Sequence, residues 1–379
     1  MSSLNQDLFP NTRSSAWSTP GRRKDTIDIG FVSLVDAAPL FVALDNGYFL
    51  KRGLSVALHR EIGWTSIREK ILYNELDAAQ ALCPMPFSTT LGLRSIAAPC
   101  ISAIVLSRGG CGIALSMDLW KRGVRDSESL AHDISNSRIF RKYTFATVDP
   151  YSTQTSLLCD WLRSGGLDPD RDVQLVTLPP SQMCRNLAAG TIDGFCAGEP
   201  WPSLAISQEV GWSPATSADI RPGHPEKALM VKEAFAEHRH EEHIAMVASL
   251  IEACAFCDDP ANREAIAHSL SIRSRVNCDA KLIAECMSPR YNYGMGRQEE
   301  RPDFLYFNRS DANRPTSAQA DWILDIIRSR SQSPESVTIP GLGQQVFRTD
   351  LYEQALELVY PLDTSSPRFS DDAQTRHAG

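Results

Sequence analysis

An indole N–H that can only donate, a carboxamide and an ammonium group are three side chains suited to holding a small anion: Trp64, Gln154 and Lys227. A flat oxyanion needs donors near one plane, one positive charge and no facing carboxylate. Trp64 precedes Ser66-Ile67-Arg68-Glu69, whose Ser-x-x-Glu spacing predicts a capping box and a helix through Leu72. Gln154 falls in the first turn of a helix opened by Ser152 or Thr153. Both therefore stand at helix starts, where free backbone N–H groups and the dipole favour an anion by about 0.3–1 kcal/mol. Gly110-Cys111-Gly112 is a second place where a ligand could reach backbone N–H groups, since glycine permits close approach. The Cys111 thiol is itself a weak donor. Lys227 stands in His224-Pro225-Glu226-Lys227. Gly198-Glu199-Pro200-Trp201 ends a strand, where ligands of α/β sheets collect. Glu199 would repel an anion, so Gly198 and Trp201 are the contacts expected there and Glu199 a hinge residue.

Two other clusters invite a metal reading and are assigned to structure instead. His238-x-His240-x-x-His243 precedes the apolar Ile244, Val247 and Ile251 and is read as a solvated helix start. Cys254-x-x-Cys257 has zinc-like spacing without a second pair, inside a helical apolar stretch. No phosphate loop, nucleophile elbow or His-Glu-x-x-His motif occurs in the sequence. The expectation is no metal, no cofactor and no catalytic residue.

The bulk properties agree with small-solute binding. At 379 residues, 42% hydrophobic and 22% charged, the chain can bury a core large enough for two lobes. A net charge of -8 argues against wholesale nucleic-acid binding. No stretch approaches the roughly 18–20 apolar residues of a membrane span. Residues 1–25 are rich in Ser, Asn, Thr and Pro, lack the apolar core of a secretory signal and contain no lipidation cysteine. They are expected to be a disordered tail. The ten cysteines are scattered, as small buried thiols in a reducing compartment would be.

Strand and helix signals alternate through the first 210 residues. Strands are predicted at 26–32, 54–60, 78–82 and 101–106, then, after a restart, at 144–148, 173–178 and 192–197. Helices are predicted at 39–46, 66–72 and 84–92, and again after Ser152, after Ser181 and from Pro200 to Gly211. This alternation predicts a mostly parallel, helix-covered sheet in each of two α/β units. From about Ala228 the chain reads as mainly helical, with a loop at 331–336 and a frayed tail at 365–379.

Several segments, in order, resemble the nitrate- and bicarbonate-binding proteins of the NrtA/CmpA type. They include Gly30-Phe31-Val32-Ser33-Leu34, Asp36-Ala37-Ala38-Pro39-Leu40, Asp45-Asn46-Gly47-Tyr48-Phe49, Gly166-Leu167-Asp168-Pro169, Gly198-Glu199-Pro200-Trp201 and His224-Pro225-Glu226-Lys227. The likeness extends over roughly residues 26–362. It implies a two-lobed α/β fold of the type II periplasmic-binding-protein kind with an interlobe ligand cleft. Lobe 1 would comprise 26–112 and 225–364, and lobe 2 would comprise 113–224.

The resemblance also assigns roles. Trp64 matches the family's ligand-contacting tryptophan. Lys227 matches the position where nitrate receptors carry lysine and bicarbonate receptors carry an acid, which points to nitrate or nitrite. Gln154 stands where relatives commonly have histidine, and Cys111 where they have an amide-bearing turn. The missing export signal directs the likeness to cytoplasmic nitrate sensors of the NasS type. Those sequester an RNA-binding antiterminator of the NasT type until ligand binds, without touching nucleic acid or membrane themselves. The alternatives are the substrate-binding component of an ABC-type importer and an enzyme related to thiamine-pyrimidine synthase.

Overall fold

The computed structural model describes residues 25–136, 141–331 and 337–361. The expected tails at 1–25 and 365–379 and the loop at 331–336 fall almost wholly outside the described residues. The chain first builds β1 (Thr26–Val32), β2 (Ser55–Glu61), β3 (Ala78–Leu82), β4 (Cys100–Ile101) and β5 (Val105–Gly109). It then crosses to a second sheet with β6 (Cys111–Ser116), β7 (Thr144–Thr147), β8 (Gln174–Thr177), β9 (Gly194–Gly198) and β10 (Gly211–Trp212). It returns through β11 (Pro225–Lys232), makes the hairpin β12 (Arg290–Gly294) and β13 (Arg297–Glu300), and adds β14 (Leu305–Tyr306).

The first sheet has the order β14-β5-β11-β3-β1-β2, with β4 also paired to β11, and the second β10-β6-β9-β7-β8. In each, three strands run parallel or flank a parallel pair, β2-β1-β3 and β8-β7-β9. Beside each triplet lies one antiparallel strand carried by a crossing segment, β11 on β3 and β6 on β9. The two halves thus repeat one topology, and the crossings occur at 109–111 and between Trp212 and Pro225. Among the described residues no helix is long and apolar enough to cross a membrane.

Burial explains these assignments. β3 (Ala-Ala-Gln-Ala-Leu) and β9 (Gly-Phe-Cys-Ala-Gly) are buried throughout, as inner strands covered on both faces must be. β2 carries His59, Arg60 and Glu61 and lies at an edge. One apolar core covers the outer face of lobe 1, with Ile29, Phe31, Phe41 and Leu250. Another fills the far side of lobe 2, with Leu115, Phe145 and Trp161. A third runs between the halves: Val32, Leu34, Trp64 and Met230 of lobe 1 meet Val148, Met183, Phe195 and Trp201 of lobe 2. The lobes are therefore closed on one another by apolar packing.

Three expectations need correction. The stretch 101–106 is two strands, β4 and β5, because Ser102 turns back through its own hydroxyl to the Ile104 carbonyl at 3.0 Å. Ala228 begins no helical region; it lies inside β11, the buried strand that returns the chain to lobe 1. The helix after Pro200 ends at Ser207, and Gly211 belongs to β10.

The first crossing rests on Gly109. Its φ is +66°, and a Cβ there would lie 2.1 Å from the Phe304 carbonyl oxygen. Both the left-handed backbone and the close approach exclude other residues. Gly109→Ala should lower unfolding stability by roughly 2–5 kcal/mol, combining backbone strain and overpacking. Gly190→Ala has the same sign of φ but open space around the new methyl group, and should cost only about 1–2 kcal/mol. Urea denaturation checks the pair, and equal losses would contradict the crossing's role.

Candidate functional site

Lys227 is fully buried in β11, paired with Leu82 of β3 on one side and Ser107 of β5 on the other. Its Nζ lies 2.8 Å from Asp36 Oδ2 and donates to Glu226 Oε1 at 2.6 Å. Asp36 comes from the short 3-10 turn that follows β1. It is steadied by Gln80, whose Nε2 donates to Asp36 Oδ1 at 2.5 Å and whose Oε1 accepts from the Val32 N–H at 3.2 Å.

Glu226 collects donors from both halves. Thr153 Oγ1 and Gln154 Nε2, at the start of the helix Thr153–Ser164, both donate to it. His224 Nε2 lies 3.0 Å from its Oε2. Gln154 Nε2 also donates to Cys111 Sγ at 3.4 Å. Trp64 covers the cluster, with Lys227 Nζ 5.4 Å from its ring centroid. Such a cation–π contact adds about 2 kcal/mol when desolvated.

The electrostatics follow from burial. Burial opposes the Lys227 charge, but Asp36 and Glu226 outweigh it and hold the ammonium above its usual range. Burial would raise Glu226 as well, yet Lys227 and His224 bring it down to about 2. For Asp36 the balance goes the other way: burial pushes its carboxyl up against the pull of Lys227. The sequence led us to expect a cation with no facing carboxylate. The structure puts two carboxyl groups on it, because an ammonium without water must be paired where it sits.

Four of the expected contacts, Trp64, Cys111, Gln154 and Lys227, come together. Gly198 lies beside them: a Cβ there would sit 3.5 Å from Asp36 Oδ2. The others are directed elsewhere. Gly110 gives its N–H to the Phe304 carbonyl, Gly112 packs against Tyr291 and Pro202, and Trp201 Nε1 donates to the Ser33 carbonyl at 3.1 Å. The Cys111 N–H is also taken, by Ser217 Oγ at 3.3 Å. The crossing thus offers ligand no glycine N–H from Gly110.

The helix carrying Trp64 starts earlier than its capping signal predicted. It spans Trp64–Leu72, Gly63 is its extended N-cap, and Ser66 bonds back to the Gly63 carbonyl at 2.9 Å. Trp64 and Arg68 therefore share one face, four residues apart. Arg68 is buried and reaches Asp149 of lobe 2 at 3.5 Å. Among the described residues, Trp64 Nε1 and Arg68 Nε are both buried donors without an acceptor. Sequence reasoning missed Asp36, Gln80, Arg68 and His224. Asp36 and His224 carried a signal, as polar residues inside segments that resemble the family; Gln80 and Arg68 carried none.

Of the rejected histidines, His238 and His240 are exposed, but His243 is buried against the core and burial lowers it to about 4. It is a core residue, not part of a solvated helix start. Cys254 and Cys257 are buried thiols in the helix His240–Asp258.

Two α/β lobes of repeated topology, crossed twice by the chain and closed over a polar cluster, define a solute-binding protein fold of the periplasmic-binding-protein type. The NMT1-like family profile matches residues 21–271, and the chain belongs to that family. It is 39% identical over 338 residues, 88% of its length, to the nitrate import ATP-binding protein NrtC of Synechocystis, of which it spans only 50%. It is 28% identical to the bicarbonate-binding protein CmpA of Synechococcus, over 87% of this chain and 77% of that one. The crystal structure of the periplasmic nitrate-binding protein NrtA from Synechocystis superposes with a TM-score of 0.82 at 26% identity, covering 89% of this chain and 90% of that chain. The homologues therefore include nitrate- and bicarbonate-binding proteins.

Glu199 ties the first crossing to the turn that carries Asp36. Its N–H donates to the Gly110 carbonyl at 3.0 Å, and its carbonyl accepts from the Val35 N–H at 2.8 Å. Its side chain is buried, with Ser203 N–H and Cys286 Sγ on Oε2 at 3.2 and 3.4 Å. Burial outweighs those bonds and raises the carboxyl from 4.5 to about 7. The folded state then holds the proton more tightly than the unfolded chain. This contribution is complete below pH 4.5 and is lost as pH rises through 7. Glu199→Gln should remove the loss: its stability advantage over wild type should grow by roughly 2–3 kcal/mol between pH 5 and 8. Urea midpoints at the two pH values measure this, and a constant difference would contradict it.

Proposed function

We propose that this chain is a non-enzymatic sensor of nitrate or nitrite that acts inside the cell. The observation that carries the reading is the pairing of an unaccepted indole N–H with a buried ammonium. Trp64 Nε1 has no acceptor among the described residues, and the ring bearing it lies over Lys227 Nζ. A buried donor beside a cation is short of an acceptor, and a small anion supplies one. In this account the anion replaces Asp36 at Nζ, while Gln80 keeps Asp36 in place. The second unaccepted donor, Arg68 Nε, is within one helical turn of Trp64 on the same helix face.

Binding favours the closed lobes only by as much as the anion prefers them. A partner that recognises the open form is then released on ligand binding, and partner and ligand weaken one another reciprocally. The resemblance to cytoplasmic sensors suggests an RNA-binding antiterminator of the NasT type as that partner, and control of nitrate-assimilation genes as the output. Two observations support an intracellular site of action. All ten cysteines are free thiols and nine are buried. The relative of 39% identity is named as an ATP-binding protein, and ATP is an intracellular nucleotide.

That same relative favours a second reading, in which the chain recognises solute as part of nitrate or bicarbonate import machinery. Co-purification separates the two: an RNA-binding partner lost on adding nitrate fits the sensor, a transporter ATPase or permease fits the second.

Calorimetric titration with nitrate, nitrite and bicarbonate tests the site. Trp64→Phe deletes one charge-assisted hydrogen bond and should weaken nitrate or nitrite by about 10- to 100-fold. Lys227→Met should abolish binding. Unchanged nitrate affinity in both variants would remove the site assignment.

A further inference from the structure

The polar cluster contains a ligand set that the anion reading does not use. Cys111 Sγ, a His224 ring nitrogen and a Glu226 carboxylate oxygen all lie within 4.8 Å of one another, and all three residues are buried. We infer that Cys111, His224 and Glu226 form a binding site for a zinc-class divalent cation at the junction of the two crossings.

The His224 geometry is the first argument. Its Nδ1 lies 3.0 Å from the Arg221 carbonyl oxygen, which can only accept, so Nδ1 carries a proton. Its Nε2 then faces Glu226 Oε2 at 3.0 Å. A lone pair and a carboxylate oxygen are held together at that distance only by a positive species between them, a proton or a metal ion. An Nδ1–H bonded to a backbone carbonyl is also the arrangement that orients a metal-binding imidazole.

Charge is the second argument. Two buried carboxyl groups, Asp36 and Glu226, face one buried ammonium, Lys227. When both carboxyl groups are ionised and the imidazole holds only its Nδ1 proton, one negative charge is left uncovered. A divalent ion that displaces the Cys111 thiol proton to solvent adds one net positive charge and neutralises the cluster. Gln154 Nε2 already donates to Cys111 Sγ and would stabilise the thiolate.

The ligand types select the metal. Sulfur, imidazole and carboxylate together suit zinc, whereas calcium takes six to eight oxygens. Three protein ligands leave a fourth position open. The placement gives the ion a role: Cys111 opens β6, directly after the first crossing, and His224 and Glu226 stand at the second. A bound ion would join the two crossing segments.

This inference does not rest on anion binding, and the two are tested separately. Full-length, chelator-treated protein is titrated with Co(II). We expect one cobalt per chain, a near-ultraviolet thiolate-to-cobalt charge-transfer band, and loss of that band on adding zinc. Cys111→Ser should lose the band. Cys278→Ser, which alters the one cysteine that is not fully buried, should keep it. No band in wild type, or a band that survives Cys111→Ser and disappears in Cys278→Ser, overturns the proposal. Should Cys111→Ser fail to fold, X-ray absorption of zinc-loaded wild type decides. One sulfur at about 2.3 Å with nitrogen and oxygen neighbours is expected. A shell with no sulfur, or with more than one, overturns it. Nitrate calorimetry on the metal-free protein reads the anion site independently of either result.

Discussion

An ammonium group removed from water must be surrounded by opposite charge, and the centre of this protein is arranged around that requirement at Lys227. Its desolvation costs several kcal/mol, which only close, well-oriented partners offset. Those partners come from separated parts of the chain: Asp36 after β1, and Glu226 on β11 itself. Glu226 in turn draws Thr153 and Gln154 from lobe 2 and His224 from the second crossing. Charge pairing and lobe closure are therefore one event. The halves cannot separate fully without exposing Glu226 to loss of its lobe 2 donors.

The fold delivers these groups through its crossings. β6 and β11 are each inserted antiparallel beside a parallel triplet, so their ends meet where the lobes meet. Glu199 bridges the first crossing to the turn that carries Asp36, through Gly110 and Val35. Arg68 and Asp149 add a buried contact between the halves beside Trp64. Apolar residues from both lobes seal the surroundings, which lowers the local dielectric and strengthens each ionic contact. The same seal buries the Trp64 Nε1 and Arg68 Nε donors, which have no protein acceptor among the described residues, so that an entering acceptor has two groups to meet it.

Much of this was legible in the residues, and the failures have physical causes. The βα alternation read correctly because buried parallel strands and amphipathic helices have different periods. Trp64 and Gln154 were in view because each sits at a helix start, a position with a local signature, whereas Lys227 and Cys111 were singled out through the family resemblance. Asp36 and Gln80 were missed because a buried ion pair is made across the sheet, between residues separated by the whole fold. Glu226 was in view beside Lys227 but was given no role, since neighbours on a strand ordinarily alternate faces. A bulge between Pro225 and Ala228 brings the two side chains together instead. Ser66 misled because its helix begins at Trp64, after an extended glycine that needs no side-chain cap. His243 misled because its polar neighbours hide that it faces the core.

The central claim is that the Trp64 indole N–H is held beside a buried, charge-paired Lys227 in readiness for an anion. The indole proton resonance of Trp64, assigned with a Trp64→Phe sample and followed by NMR as nitrate or nitrite is added, reports on it directly. The account requires that resonance to move downfield and saturate, while the Trp201 indole, bonded to Ser33, stays in place. A Trp64 signal unmoved at saturating anion would show that the ligand, if any, is held elsewhere.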